Sequence, residues 1–195
     1  MKSKILNLIT FVTATFVSTQ SMAIITFDNV SGSNGSTYLG HTEDGFTVNN
    51  DGTWLNAQFF GNPTPDIFTN ASSDTISLTE TGSTGYFTFA GIDMACNNGT
   101  DCGFSIEGFL DSTSVLSLSG SVTAGPPYDF YTVATGWSSI VLDHLIITME
   151  AGVGTTSMNI DNINVSATSV PEPSSLAILS LGLAGLGLSR RRKAA

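Results

Sequence analysis

From residue 24 to residue 165 the chain is a series of short β-rich runs separated by Gly, Asn, Asp, Ser and Pro, without sustained helical periodicity. The runs fall at residues 24–27, 45–48, 54–60, 75–79, 85–89, 104–109, 114–122, 128–133, 139–143, 145–150 and 157–165. Several alternate, as Ile76 and Leu78 do against Ser77 and Thr79, so each such strand has one face for a core and one for water. In the last run Met158 and Ile160 are in one phase and Ile163 and Val165 in the other, which predicts a bulge at Asp161-Asn162. Asn34-Gly35, Asp44-Gly45, Asp51-Gly52 and Asn98-Gly99 are turn signals of antiparallel hairpins. The expectation is an all-β, antiparallel two-sheet sandwich, jelly-roll-like, with residues 31–37 as a polar loop. No fixed-period repeat points to a propeller or solenoid.

The two ends have a different pattern. Lys2 and Lys4 precede a mostly apolar stretch from Ile5 to Val17, and Ser21-Met22-Ala23 has the small-x-small form of a leader cleavage site. This predicts a signal helix over residues 1–23, cut after Ala23 by a signal peptidase; the alternative, a buried helix of the domain, suits the β-branched, Thr-rich stretch poorly. At the other end, Val170-Pro171-Glu172-Pro173 is followed by an apolar run from Leu176 to Leu188 and then by Arg190, Arg191, Arg192 and Lys193. Two prolines keep Glu172 extended and readable by a processing enzyme. About 13 to 16 helical residues span roughly 20 to 24 Å, less than a hydrocarbon core of about 30 Å, so the expected transmembrane helix is a thin anchor. The basic cluster is a membrane stop that stays cytoplasmic.

These three parts, in this order, resemble the PEP-CTERM sorting domain of Gram-negative bacteria over about residues 169–195. The resemblance implies an exported protein whose tail is recognised by an exosortase at Pro171, Glu172 and Pro173. It also implies an inner-membrane intermediate, then the cell surface or the extracellular space, in a setting of exopolysaccharide and biofilm. The first and last β runs, around Ile25-Thr26-Phe27-Asp28 and Ile160-Asp161-Asn162-Ile163, look like the terminal strands of other such ectodomains and of carbohydrate-binding sandwiches. The division expected is residues 1–23 leader, 24–168 sandwich and 169–195 sorting tail.

Charge narrows the function classes. The 195-residue chain carries a formal net charge of -10, yet all its Lys and Arg lie at the two ends, while every acidic residue but Glu172 lies between residues 24 and 170. Nucleic-acid binding, which depends on neutralising phosphates, is excluded for such a domain. Its carboxylates must be solvated, hydrogen-bonded or set beside a cation.

Candidate chemistry is sparse. Cys96 and Cys102, the two cysteines, flank a turn-forming loop in an exported chain and are expected to form a disulfide. Asp28 and Asp161 would meet if the terminal strands pair, offering oxygen ligands to a structural Ca²⁺; otherwise both are outward-facing strand or turn residues. No other cofactor is expected. His41 is read in a polar loop and His144 next to Asp143 in a strand, where adjacent side chains point to opposite faces and do not pair. No Gly-x-Ser-x-Gly is present, and a chance pair among many carboxylates is no evidence of a glycosidase. Threonines around Thr79-Glu80-Thr81 form no repeated array of the kind that binds ice. Trp54, Phe59, Phe60, Tyr128, Phe130, Tyr131 and Trp137 are candidates for sugar stacking, with core packing the alternative, and Pro126-Pro127 marks a loop that could present a ring. The expectation is a non-enzymatic surface or matrix protein, with a carbohydrate-binding module as the alternative and a secreted glycoside hydrolase behind both.

Overall fold

The computed structural model describes residues 21–168, apart from Ser83, Pro127 and Tyr128; most of the expected leader and all of the sorting tail, with its apolar helix, lie outside these residues. In chain order the strands are β1 (Ser21–Ile25), β2 (His41–Glu43), β3 (Phe46–Asn50), β4 (Leu55–Ala57), β5 (Asp66–Thr69), β6 (Ser73–Glu80) and β7 (Phe87–Asn97). They continue with β8 (Cys102–Leu110), β9 (Thr113–Val122), β10 (Ala124–Gly125), β11 (Phe130–Ala134), β12 (His144–Glu150) and β13 (Ser157–Ala167). Among the described residues no helix is long and apolar enough to cross a membrane.

Two sheets form the jelly-roll-like sandwich, and the chain passes repeatedly between them. One sheet runs β2-β3-β6-β12-β8-β9. The other runs β10-β7-β13-β5-β4, with β1 added to β13 and β11 to β7. All pairs are antiparallel except the two-residue β10, which lies parallel to β7 and so departs from the expected pattern. Alternation sends Ile76, Leu78, Leu145, Ile147 and Ile106 inward from one sheet against Phe89, Ile92, Met94 and Ile160 from the other, all of them buried. Phe46 and Phe87 meet edge to face across this core at 5.6 Å between ring centres, a geometry that adds about 1 kcal/mol beyond area burial.

The bulge expected in the last strand is present. Asn162 has φ +47, and the register of β13 against β7 shifts between Asp161 and Asn164. That shift keeps Ile160, Ile163 and Val165 in the core and leaves Asn159 and Asp161 on the other face. Asp44-Gly45 closes the β2–β3 hairpin with both residues at positive φ, as a type I′ turn requires.

Other expectations need correcting. Residues 54–60 are not one strand: Trp54 is a core side chain, β4 lasts three residues, and Phe59 is 74% exposed. Residues 139–143 are not a strand: Leu142 forms an isolated bridge with Phe87, and the Asp143 N–H donates to the Phe109 carbonyl of β8 at 2.9 Å. His41 is not in a loop but in β2. β5 went unread because Pro63 and Pro65 precede it closely, although Asp66–Thr69 itself carries no proline. Apart from these corrections, the leader boundary after Ala23 stays an expectation, and its position coincides with β1.

Candidate functional site

Cross-strand register lines up a polar row on the outer face of the β7/β13/β5 sheet. Thr132 of β11 stands opposite Asp93 of β7, and Asp93 stands opposite Asp161 of β13. Ile160 of β13 is opposite Ile67 of β5, so Asp66 is next to Asp161 in the same row. Directly opposed carboxylates repel. Hydrogen bonding relieves Asp93 in particular: its Oδ1 accepts Thr132 Oγ1 at 2.6 Å, and its Oδ2 accepts the side-chain amides of Asn162 at 3.0 Å and Asn62 at 3.3 Å.

Asn62 belongs to the loop over residues 58–65, which folds back across this face. Its backbone N–H donates to Asp161 Oδ2 at 2.6 Å, and its carbonyl accepts from the Asn162 side chain. Asp161 also accepts the backbone N–H of Asn162 through Oδ1. One step along the strands, Asn97 donates to Asn159 Oδ1 at 2.6 Å, and Asn159 donates to Asp66 Oδ2 at 2.7 Å.

Burial dominates the electrostatics of the row. Asp66 is fully buried, which pushes its carboxyl up to about 8; the bond from Asn159 opposes this and the charge of Asp161 adds to it. Asp161 rises to about 7 by burial, against the N–H bonds of Asn62 and Asn162 and with the charges of Asp93 and Asp28. The terminal strands do pair, Ile25 opposite Ile163, and they bring exposed Asp28 within electrostatic reach of Asp161. Among the described residues no group of three or more His, Cys, Asp or Glu side chains is placed to hold a metal ion.

Two clefts open on this face. The larger, about 440 Å³, has Asn62, Asp93, Thr132, Asn162 and Asn164 on its polar side. Ile24 and Pro63 form an apolar wall, and the small residues Ala90, Gly91 and Ala134 keep it open. Asn164 Oδ1 is buried and has no hydrogen-bond partner among the described residues. The smaller cleft, about 120 Å³, sets the rings of Phe60 and Phe68 beside Asn70, Ser157 and Asn159. Of the row's carboxylates only Asp93 lines either cleft.

A second chain of titratable groups lies elsewhere. Tyr38 Oη is 2.7 Å from His41 Nδ1, and His41 Nε2 is 3.0 Å from Glu43 Oε2. Glu43 also accepts Thr26 N–H, Thr26 Oγ1 and Phe27 N–H. Burial pushes Glu43 up, but the hydrogen bonds from His41 and Thr26 outweigh it and hold the carboxyl below its usual range. Tyr38, which is buried, is raised by that burial. Neither cleft includes these residues, and the cluster pins the segment after β1 onto β2. The sequence carried a signal for it, since His41 and Glu43 at i and i+2 of a strand share one face.

The remaining expected residues are placed as follows. Cys96 and Cys102 form the disulfide, with Cα atoms 5.7 Å apart, joining β7 to β8. Asp143 accepts the backbone N–H of Asp111, whereas the His144 ring lies against Phe109. Trp54 is fully buried, Tyr131 is 40% exposed, and Trp137 packs on the core. Phe130 is half-buried, while Tyr128 and Pro127 fall outside the described residues. Pro171, Glu172, Pro173 and the cluster Arg190, Arg191, Arg192 and Lys193 also lie outside them. Sequence reasoning missed Asp66, Asp93, Asn62 and Asn159, whose meeting depends on register between distant strands.

Comparison with known proteins gives two kinds of likeness. Residues 169–193 match the PEP-CTERM protein-sorting motif. A search of curated proteins found no match. Among solved structures, the family 29 carbohydrate-binding module from Piromyces equi is 13% identical, with a TM-score of 0.45, over 75% of this chain and 90% of that one. The family 32 module from C. perfringens NanJ, in complex with galactose, is 18% identical with a TM-score of 0.39, over 77% and 93%. An enzymatically active domain of tailspike protein 4 of bacteriophage CBA120 is 16% identical with a TM-score of 0.42; the match covers 72% of this chain but only 21% of the tailspike chain.

Proposed function

We propose that this chain, which carries a PEP-CTERM protein-sorting motif, is an exported, non-enzymatic surface or matrix protein whose sandwich grips neutral saccharide units of an exopolysaccharide. The tail would hold the chain briefly at the inner membrane until an exosortase acts at Pro171-Glu172-Pro173, in a setting of biofilm assembly.

The observation that carries the ligand reading is the 440 Å³ cleft. Amide, hydroxyl and carboxylate groups converge there opposite an apolar wall, the mix of partners that a sugar's hydroxyls and its C–H face require. With no Lys or Arg in the sandwich, polyanionic polymers are repelled and neutral ones are not. Hydrolysis is disfavoured by the same geometry, because paired carboxyl groups must face the substrate, and Asp161 and Asp66 are buried away from the clefts.

Affinity electrophoresis of the chain through gels containing neutral polysaccharides tests the reading. Retardation should be lost in Ala134→Trp, which fills the cleft, and weakened in Asp93→Ala. No retardation on any neutral polymer would leave a purely structural role. A second reading, a structural Ca²⁺ between Asp28 and Asp161, is favoured by the pairing of β1 with β13.

A further inference from the structure

Strand β1 covers one edge of the strand that leads into the sorting tail. Ser21, Met22 and Ala23 pair with Ala167, Ser166 and Val165, while Ile24 and Ile25 pair with Asn164 and Ile163. The opposite edge of the same segment is held by β7, through Phe89, Thr88 and Phe87. Beyond it, Thr168 N–H donates to the Tyr86 carbonyl at 2.9 Å, and Thr84 Oγ1 donates to the Thr168 carbonyl at 2.7 Å.

A leader cut after Ala23 removes the three residues that cover Val165–Ala167 and leaves Ile24 and Ile25 in place. One edge of β13 is then a row of unpaired N–H and C=O groups, a template for another extended chain. Pro171 lies four residues past Ala167, a reach of about 13 to 14 Å when fully extended. An enzyme that grips the tripeptide therefore works beside this edge.

We propose that leader removal uncovers the Val165–Ala167 edge and that this edge is the docking surface of the tail-processing enzyme, so that the two cuts follow in order. The enzyme adds an extended segment of its own to the sheet, and main-chain hydrogen bonds supply the recognition. The occupant is this enzyme rather than another partner because the exposed edge ends four residues before the tripeptide to be cut. The inference rests on the export reading of the two chain ends and is independent of glycan binding.

The test is made on the full chain in its exporting host. A second Ser-Met-Ala inserted after Ala23 lets the leader leave at the first copy while the second re-covers the edge. Pulse-chase with intact-mass readout should show unchanged leader removal, a mature N-terminus at Ile24 in the unaltered chain, and tail processing slowed about tenfold by the insertion. Hydrogen exchange at residues 165–167 should be fast in the mature unaltered chain and slow in the insertion chain. Equal tail processing in both chains, with exchange slowed as designed, overturns the proposal. So does a mature N-terminus at or before Ser21. A dimer of the unaltered chain that the insertion dissolves, with tail processing unchanged, assigns the edge to a second copy and also overturns it. A tail left intact in the unaltered chain overturns the export reading together with this inference.

Discussion

Asp66 combines full burial, a carboxyl raised to about 8, and an Oδ1 without a hydrogen-bond partner among the described residues. A carboxyl raised on folding contributes stability that is fully present below its unfolded value and lost as pH rises through its folded one. Asp66 and Asp161, raised from 3.8 to about 8 and about 7, should therefore make the fold lose stability as pH rises from the ordinary Asp value through these two folded values. Glu43 acts in the opposite sense: lowered on folding, it loses its contribution as pH falls below the usual carboxylate range. A stability maximum within the ordinary carboxylate range follows. Asp66→Asn keeps an acceptor for Asn159 and removes the ionisation, so thermal melts should show this variant roughly 5 °C or more above wild type at pH 8.5, with the gap narrowing steadily as pH falls toward the ordinary Asp value of 3.8. Parallel pH curves for the two proteins would mean that Asp66 is not the group responsible.

Among the elements, β7 and β13 organise the molecule. β13 is flanked by β7 on one side and by β5 and β1 in turn on the other, so the bulge at Asp161-Asn162 falls between these two partners. The disulfide links β7 to β8 where the chain leaves one sheet for the other. Its cysteines are six positions apart, and a loop that short gives a chain-entropy stabilisation of about 2 kcal/mol. Cys96→Ala/Cys102→Ala should lower the unfolding free energy by about that amount in urea while the far-ultraviolet spectrum stays that of a folded β protein. No loss would mean that the β7–β8 connection is equally constrained without the cross-link. Gly52 is an instance of close approach within the elements, since a Cβ there would fall 1.4 Å from Asp74 Oδ1.

For the whole molecule, the concentration of carboxylates in a sandwich without Lys or Arg means that self-repulsion opposes the compact state. Screening should relieve it, with a Debye length of about 10 Å at 0.1 M salt and about 3 Å at 1 M. The melting temperature at pH 7.5 is therefore expected to rise with sodium chloride. If Asp28 and Asp161 hold Ca²⁺, millimolar calcium should raise it further than sodium chloride of equal ionic strength, and Asp28→Asn should cancel the excess. A melting temperature indifferent to salt would show that the carboxylates are already compensated by their hydrogen bonds.

Local pattern by itself determined the all-β class, most strands, the β2–β3 turn, the bulge in the last strand, the disulfide and the sorting motif. Each of these depends on neighbours in sequence, through alternation, turn chemistry, loop length or a contiguous signal. Only the tertiary structure decided that Asp93, Asp161 and Asp66 share a row, that Asn62 closes over it, and that Ser21–Ala23 lie along the end of β13. These depend on register between strands far apart in the chain, and register comes from packing two sheets around one core. The same physics explains the misreadings: proximity to prolines hid β5, while an apolar run at residues 139–143 found its burial as a turn against Phe87.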